Sequence, residues 1–221
     1  MKCKIFVALA LMFALSPLAL AQDYKMELIP FFGYTFSNGV DVVIADSGSG
    51  VIVDKITPKS GVTWGFQADL LASEAFAIGF LYSEQFSTLE LREVNGTKHD
   101  ITDMKVRNYH AMFTYNMGPE DAPMRPFFFG GLGATQYAPD DIEGNNVDSN
   151  SRFSTTWGGG LKFFTSDHIG IRTMLRWTPT YIKSDPAGYW CSPFWPGGCW
   201  LVSDAHYSHQ WEFSAGLILR F

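Results

Sequence analysis

His206-Tyr207-Ser208, followed by Glu212, is a run whose side chains could assemble a nucleophile, a base and a carboxylate. Ester cleavage would need the imidazole to take the Ser208 proton while an acid orients the ring from its other nitrogen. A strand rises ~3.3 Å per residue, so Glu212 lies about 20 Å along the chain from His206, too far to orient it directly. The pair also sits where a loop meets a strand, where His and Ser are ordinary rim residues. His99, His110 and His168 share no ligand spacing, and no metal site is expected from them. Gly158-Gly159-Gly160 precedes no helix, so it marks a strand that bends or admits bulky neighbours rather than a phosphate loop. No catalytic residue, cofactor or metal is expected.

A second set of residues combines charge with apolar surroundings: Asp69, Lys162, Arg172, Arg176, Glu212 and Arg220. Each lies in a stretch of period-two alternation. Tyr207, His209, Trp211, Phe213, Ala215, Leu217, Leu219 and Phe221 share one face of the final stretch, while Ser208, Gln210, Glu212, Ser214 and Arg220 share the other. Val62, Trp64, Phe66, Ala68 and Leu70 oppose Thr63, Gly65, Gln67 and Asp69. Phe153, Trp157, Leu161 and Phe163 oppose Ser154, Thr156 and Lys162, and Ile169, Ile171, Leu175 and Trp177 oppose Gly170, Arg172 and Arg176. Such alternation is the signature of strands with one apolar and one polar face.

Eight strands are read in this way, over residues 25–36, 62–71, 76–86, 104–116, 125–137, 152–164, 169–182 and 207–221. Each has about the ten residues a tilted strand needs to cross a bilayer. The run Phe127-Phe128-Phe129-Gly130-Gly131 leaves the faces of the fifth strand unassigned. Three connections are short (72–75, 117–124, 165–168) and four are long and polar (37–61, 87–103, 138–151, 183–206). Short turns at one end and long loops at the other are the layout of an outer-membrane barrel.

Orientation of the faces separates a membrane barrel from a soluble ligand-binding one. An eight-stranded barrel has an interior only wide enough for side chains. With the apolar face inward, Trp64, Trp157, Trp177 and Trp211 would crowd one end of that interior. Facing outward, all four fall in the half nearer the long loops and form an aromatic girdle at the membrane interface. The fold expected is therefore all-β, a closed eight-stranded antiparallel transmembrane barrel. Its charged residues point inward and plug a narrow lumen, with Asp69 and Glu212 as partners for the four cations. A gated path for a small solute is the alternative use of the same charges.

The chain's first residues fit export. Lys2 and Lys4 precede an apolar run from Ile5 to Leu15, and Ser16-Pro17 leads into Ala19-Leu20-Ala21, a small-x-small cleavage site. Residues 1–21 are expected to be a cleaved signal peptide and residues 22–221 the barrel domain. Removing Lys2 and Lys4 takes the 16 basic residues to 14 against 22 acidic, moving the net charge from −6 to −8. Bulk charge of that sign offers no attraction for nucleic acid. Cys191 and Cys199 remain in the exported chain, and an oxidising compartment favours a disulfide between them. They bracket an aromatic segment containing Trp190, Phe194, Trp195 and Trp200, in a loop on the extracellular side. That loop has two readings: a lid on the barrel mouth, or a rigid aromatic tip for an extracellular or envelope partner.

Two stretches carry a family resemblance. The run Gly158 to Arg172 is similar to the strand-turn-strand of the small eight-stranded outer-membrane barrels, typified by the transmembrane domain of outer-membrane protein A and the OmpX and Ail group. The last strand, with Phe213, Leu217, Leu219 and terminal Phe221, looks like the signal by which the barrel-assembly machinery recognises such proteins. The resemblance implies the bacterial outer membrane as location and outer-membrane lipid as surroundings. Members of this superfamily include structural, adhesive and enzymatic barrels, and fold does not choose among them. His206 and Ser208 also resemble the His-x-Ser motif of outer-membrane lipid A deacylases, which implies an outer-leaflet lipid hydrolase as one alternative. A structural or surface-interaction role through four long loops is the leading expectation.

Overall fold

The computed structural model describes residues 26–38, 40–41, 53–93, 98–119, 122–140, 149–181, 189–191, 199–201 and 207–221. The expected signal peptide, and His206, Phe194 and Trp195, lie outside the described residues. The strands are β1 (Met26–Ser37), β2 (Val40–Asp41), β3 (Val53–Pro58), β4 (Gly61–Leu71), β5 (Phe76–Glu93), β6 (Lys98–Asn116), β7 (Met124–Pro139), β8 (Asn150–Phe164), β9 (Ile169–Tyr181), β10 (Tyr189–Cys191), β11 (Cys199–Leu201) and β12 (Tyr207–Arg220).

Eight of these close on themselves in the order β1-β12-β9-β8-β7-β6-β5-β4 and back to β1, each antiparallel to both neighbours. The seam joins the first and last strands, Glu27 opposite Arg220 and Ser37 opposite Gln210. Backbone bonds from Met26 N to Phe221 O (3.1 Å) and from Phe221 N to Met26 O (2.9 Å) extend that seam to the last residue. Closure removes the unpaired strand edges that would otherwise expose backbone donors and acceptors to lipid.

The alternation read from the sequence becomes an inside and an outside. Phe32, Phe36, Phe128, Leu132, Trp157, Phe213 and Phe221 are exposed on the outer wall, whereas Gln67, Asp69, Ser83, Thr114, Lys162 and Glu212 are buried. This is the reverse of a soluble domain. It follows from a solvent that is hydrocarbon outside, so polar groups must find one another within the lumen. The fifth strand of the barrel, β7, resolves as well: Arg125, Phe127 and Phe129 point inward, Phe128 and Leu132 outward.

Two expectations are corrected by the strand lengths. Residues 87–103 were expected to be a loop, yet β5 and β6 run 18 and 19 residues and continue as a ladder to Arg92 opposite Lys98. Only 9–11 residues are needed to cross the bilayer, so this hairpin stands well above it. Its sequence, Ser87-Thr88-Leu89-Glu90-Leu91, keeps the same period of two. Residues 37–61 likewise contain β2 and β3, and β3 pairs with the upper part of β5 from Pro58 opposite Leu89 to Val53 opposite Glu93. Lys59 joins this outer sheet to β5 and β6 through Asp100 (2.6 Å) and Glu90 (3.8 Å). The hydrogen bond to Asp100 raises the Lys59 pKa above its ordinary value.

Candidate functional site

The lumen side chains form three tiers. Nearest the short turns, Glu27 on β1 lies directly opposite Arg220 on β12 and Asp69 on β4. Its carboxylate accepts hydrogen bonds from Lys162 Nζ at 2.6 Å and Arg220 Nη2 at 2.8 Å. Beside it, Arg172 Nη1 donates to Gln67 Oε1 at 2.9 Å, and Gln67 Nε2 donates to both Asp69 oxygens at 2.8 Å. Gly79 lies opposite Asp69, and a Cβ there would collide with its carboxyl group, so the missing side chain makes room for the buried acid. Arg125 donates to the Glu74 and Gly118 carbonyls (2.7 and 3.2 Å) and ties β7 to two turns.

The middle tier is apolar. Phe31, Leu81, Met112, Phe127, Phe129 and Met174 form one buried cluster inside the barrel. The Arg172 guanidinium lies 4.2 Å from the Phe127 ring centre and 5.7 Å from that of Phe129. A cation on a ring face in a desolvated site is held electrostatically by the ring quadrupole. The aromatic pair therefore covers the lower charges.

The upper tier, toward the long loops, is polar again. Arg176 forms an ion pair with Glu212 across the β9–β12 ladder, and its Nη2 also donates to Ser83 Oγ at 2.7 Å. Thr35 and Thr63 share a 2.6 Å hydrogen bond next to Glu212. His110 Nε2 and Ser154 Oγ are 2.9 Å apart, and Thr135 donates to Asn108 at 2.7 Å.

All six charges named from the sequence are buried, but the structure pairs them differently than expected. Arg176 does meet Glu212. Lys162 and Arg220 meet Glu27 instead of Asp69 or Glu212, and Arg172 reaches Asp69 through Gln67. Glu27 was missed, although a carboxylate amid Met26-Glu27-Leu28-Ile29 was a signal. His110, Arg125, Phe127 and Phe129 were missed because the faces of the strands that carry them were not all assigned.

At the loop end, Ser208 is buried and donates to the Asn38 carbonyl at 3.3 Å. Glu212 is committed to Arg176. Of the three groups that suggested ester cleavage, two thus have other partners and His206 is outside the described residues. Among the described residues, no three His, Cys, Asp or Glu side chains are grouped to hold a metal ion. β10 and β11 pair with Trp190 opposite Trp200 and Cys191 opposite Cys199.

A closed barrel with an apolar aromatic outer wall and a lumen of paired charges is a bacterial outer-membrane β-barrel. The chain belongs to the outer membrane protein beta-barrel domain family, whose model matches residues 5–217. It is similar in structure to the outer membrane protein OprG of Pseudomonas aeruginosa, at TM-score 0.60 and 11% identity over 89% of this chain and 95% of that one. It is also similar to Neisserial surface protein A, at TM-score 0.54 and 13% identity, covering 90% and 97% respectively. Ail, the attachment invasion locus protein of Yersinia pestis, matches at TM-score 0.43 and 15% identity over 89% of this chain and 99% of Ail. No curated protein sequence matches the chain. The protein resides in the outer membrane.

Proposed function

We propose that this barrel is a non-conducting, non-catalytic display scaffold, whose work is done by the segments it holds above the outer leaflet. The observation that carries this is the lumen: an apolar tier lies between two tiers of paired charge, while β5 and β6 continue past the membrane as a stiff hairpin flanked by β3. An ion crossing the apolar tier would lose most of its hydration, and a cation would also meet the Arg172 guanidinium held against those rings, which opposes conduction. The projecting ladder is a rigid platform, and rigidity lowers the entropy lost when a surface partner binds.

The β10–β11 ladder is the second part of the display. Cys191 opposite Cys199 is a register that supports a disulfide, given cross-strand Cα separations of about 4.5–5.5 Å and the 4.4–6.8 Å that bridges require. Such a staple would hold Trp190, Phe194, Trp195 and Trp200 together as the aromatic surface that meets an extracellular or envelope partner. Entry into the membrane would use the barrel-assembly machinery, reading Phe213, Leu217, Leu219 and Phe221.

The test combines conductance and binding. Protein reconstituted in planar bilayers should show no steady single-channel current. On intact cells, deleting residues 189–201 or trimming the β5–β6 hairpin to its membrane length should abolish surface binding while leaving barrel assembly unchanged. Large steady currents, or partner binding that survives both changes, would replace the scaffold by a channel or by a function elsewhere on the barrel.

A further inference from the structure

Among the described residues, the outer wall is apolar over most of its area, with one charged interruption beside the aromatic girdle. Glu84 on β5 and Arg107 on β6 are directly opposite in register, and Trp64 on β4 is opposite Glu84. Their strand neighbours Ser83, Gln85, Val106 and Asn108 are buried in the lumen, so Glu84 and Arg107 face lipid. The Arg107 Nε donates to Glu84 Oε2 at 2.7 Å, and the Tyr82 hydroxyl donates to the same oxygen at 3.2 Å. Tyr82 packs against Trp64, Phe66 and Tyr109 with ring centres 5.8, 5.8 and 5.2 Å away. The carboxylate is thus buried among rings, while Arg107 is held through Nε and keeps 32% of its side chain exposed.

Height decides what this patch meets. Glu84 is eight residues above the start of β5 and Arg107 nine above the end of β6. At ~3.3 Å per residue and a tilt of about 40°, both lie about 20 Å above the periplasmic turns, near the top of the ~25 Å apolar band. Charge on a lipid-facing wall is tolerated best at that depth. Lys105 follows on the same face, closer to the loops, with Asp140 only at 3.9 Å.

We infer that Arg107 and Lys105, on the platform of Trp64, Tyr82 and Tyr109, bind the phosphate of a phosphorylated glycolipid in the outer leaflet. A guanidinium fixed at Nε offers its other edge to phosphate oxygens as a planar donor pair, and the ammonium adds a second positive charge. The rings suit the level where sugar meets acyl chain, since their flat faces are apolar and their hydroxyl and indole groups are polar. Glu84 is a positioning residue: it holds the guanidinium and makes no contact with the phosphate. The leaflet is selected by position, because the patch lies in the half of the wall nearer the long loops.

Native mass spectrometry of the full protein, folded in detergent micelles, can test this with bis-phosphorylated lipid A, dephosphorylated lipid A and phosphatidylglycerol as probes. The wild type should retain phosphorylated lipid A at least tenfold better than either other lipid. Arg107→Gln should remove that preference, Lys105→Gln should reduce it severalfold, and Glu84→Gln should keep it. Should Arg107→Gln fail to fold, the double variant Glu84→Gln/Arg107→Gln leaves no lone charge and must still lose the preference. Equal retention of the two lipid A forms by the wild type, or an undiminished preference in a folded variant without Arg107, would overturn the site. Equal retention of phosphatidylglycerol would overturn the assignment to the glycolipid.

Discussion

Removing the Glu27 carboxylate is the sharpest perturbation that the lumen offers. Glu27 is fully buried, and Lys162, at 1% exposure, has it as an ion-pair partner at 2.6 Å. Arg220 donates to the same carboxylate through two nitrogens, at 2.8 and 3.1 Å. Glu27→Gln keeps the size of the side chain and deletes its charge, so Lys162 loses its counter-ion inside the barrel. Breaking a buried pair from one side costs about 3–5 kcal/mol. Arg220 is 9% exposed and keeps its contact with the Phe164 ring at 4.3 Å, which favours the lower half of that range. A change of about 3–4 kcal/mol shifts the folding equilibrium by more than a hundredfold. Urea unfolding in lipid vesicles, followed by tryptophan fluorescence and by the shift of folded protein on an unheated gel, would measure it. The companion variant Glu27→Gln/Lys162→Met removes both charges, and replacing a buried pair by apolar side chains is often neutral. It should therefore recover most of the lost stability. A single variant that loses less than about 1 kcal/mol, or a double variant whose loss is the sum of the two singles, would refute a desolvated Glu27–Lys162 pair.

Three further outcomes are expected. Gly79→Val should lower thermal stability and the assembled fraction, because the added side chain occupies the space of the Asp69 carboxyl, whereas Gly118→Asn in an open turn at φ 80° should be tolerated; equal effects in a heat-shift gel would contradict the account of Asp69. Deleting Phe221 should reduce the fraction of protein inserted in the outer membrane, since the residue closes the β1–β12 seam through Met26; pulse-chase fractionation would show it, and unchanged insertion would remove the terminal-strand signal. Alkylation and mass spectrometry of the exported protein should find no free thiol at Cys191 or Cys199, and Trp195→Ala should weaken surface binding without altering assembly; free thiols would end the case for a stapled loop.

Much of the barrel was legible in the chain because alternation is a local property. Two faces per strand follow from the period of two, and the 62–71, 169–182 and 207–221 readings differ from β4, β9 and β12 by a residue or two at most. The outward Trp residues and the inward charges of those strands followed directly, since the bilayer requires every strand to segregate polar from apolar groups. The β5–β6 extension was less legible, because residues 87–103 read as a long polar loop although the period of two continues through Ser87-Thr88-Leu89-Glu90-Leu91. Which charge meets which was not local at all. Lys162 and Glu27 are 135 residues apart, and Arg220 and Glu27 are 193 apart. Their meeting depends on shear and closure, which set each strand's height around the barrel and are encoded in no single segment. The outward Glu84–Arg107 pair has the same origin. Period two puts both residues on the lipid face, but only the register of β4, β5 and β6 brings the carboxylate, the guanidinium and three aromatic rings to one place. Sequence by itself determined the alternating faces, their hydrocarbon surroundings and the number of barrel strands. Tertiary structure decided the partners, because pairing across a closed sheet is a property of the whole ring.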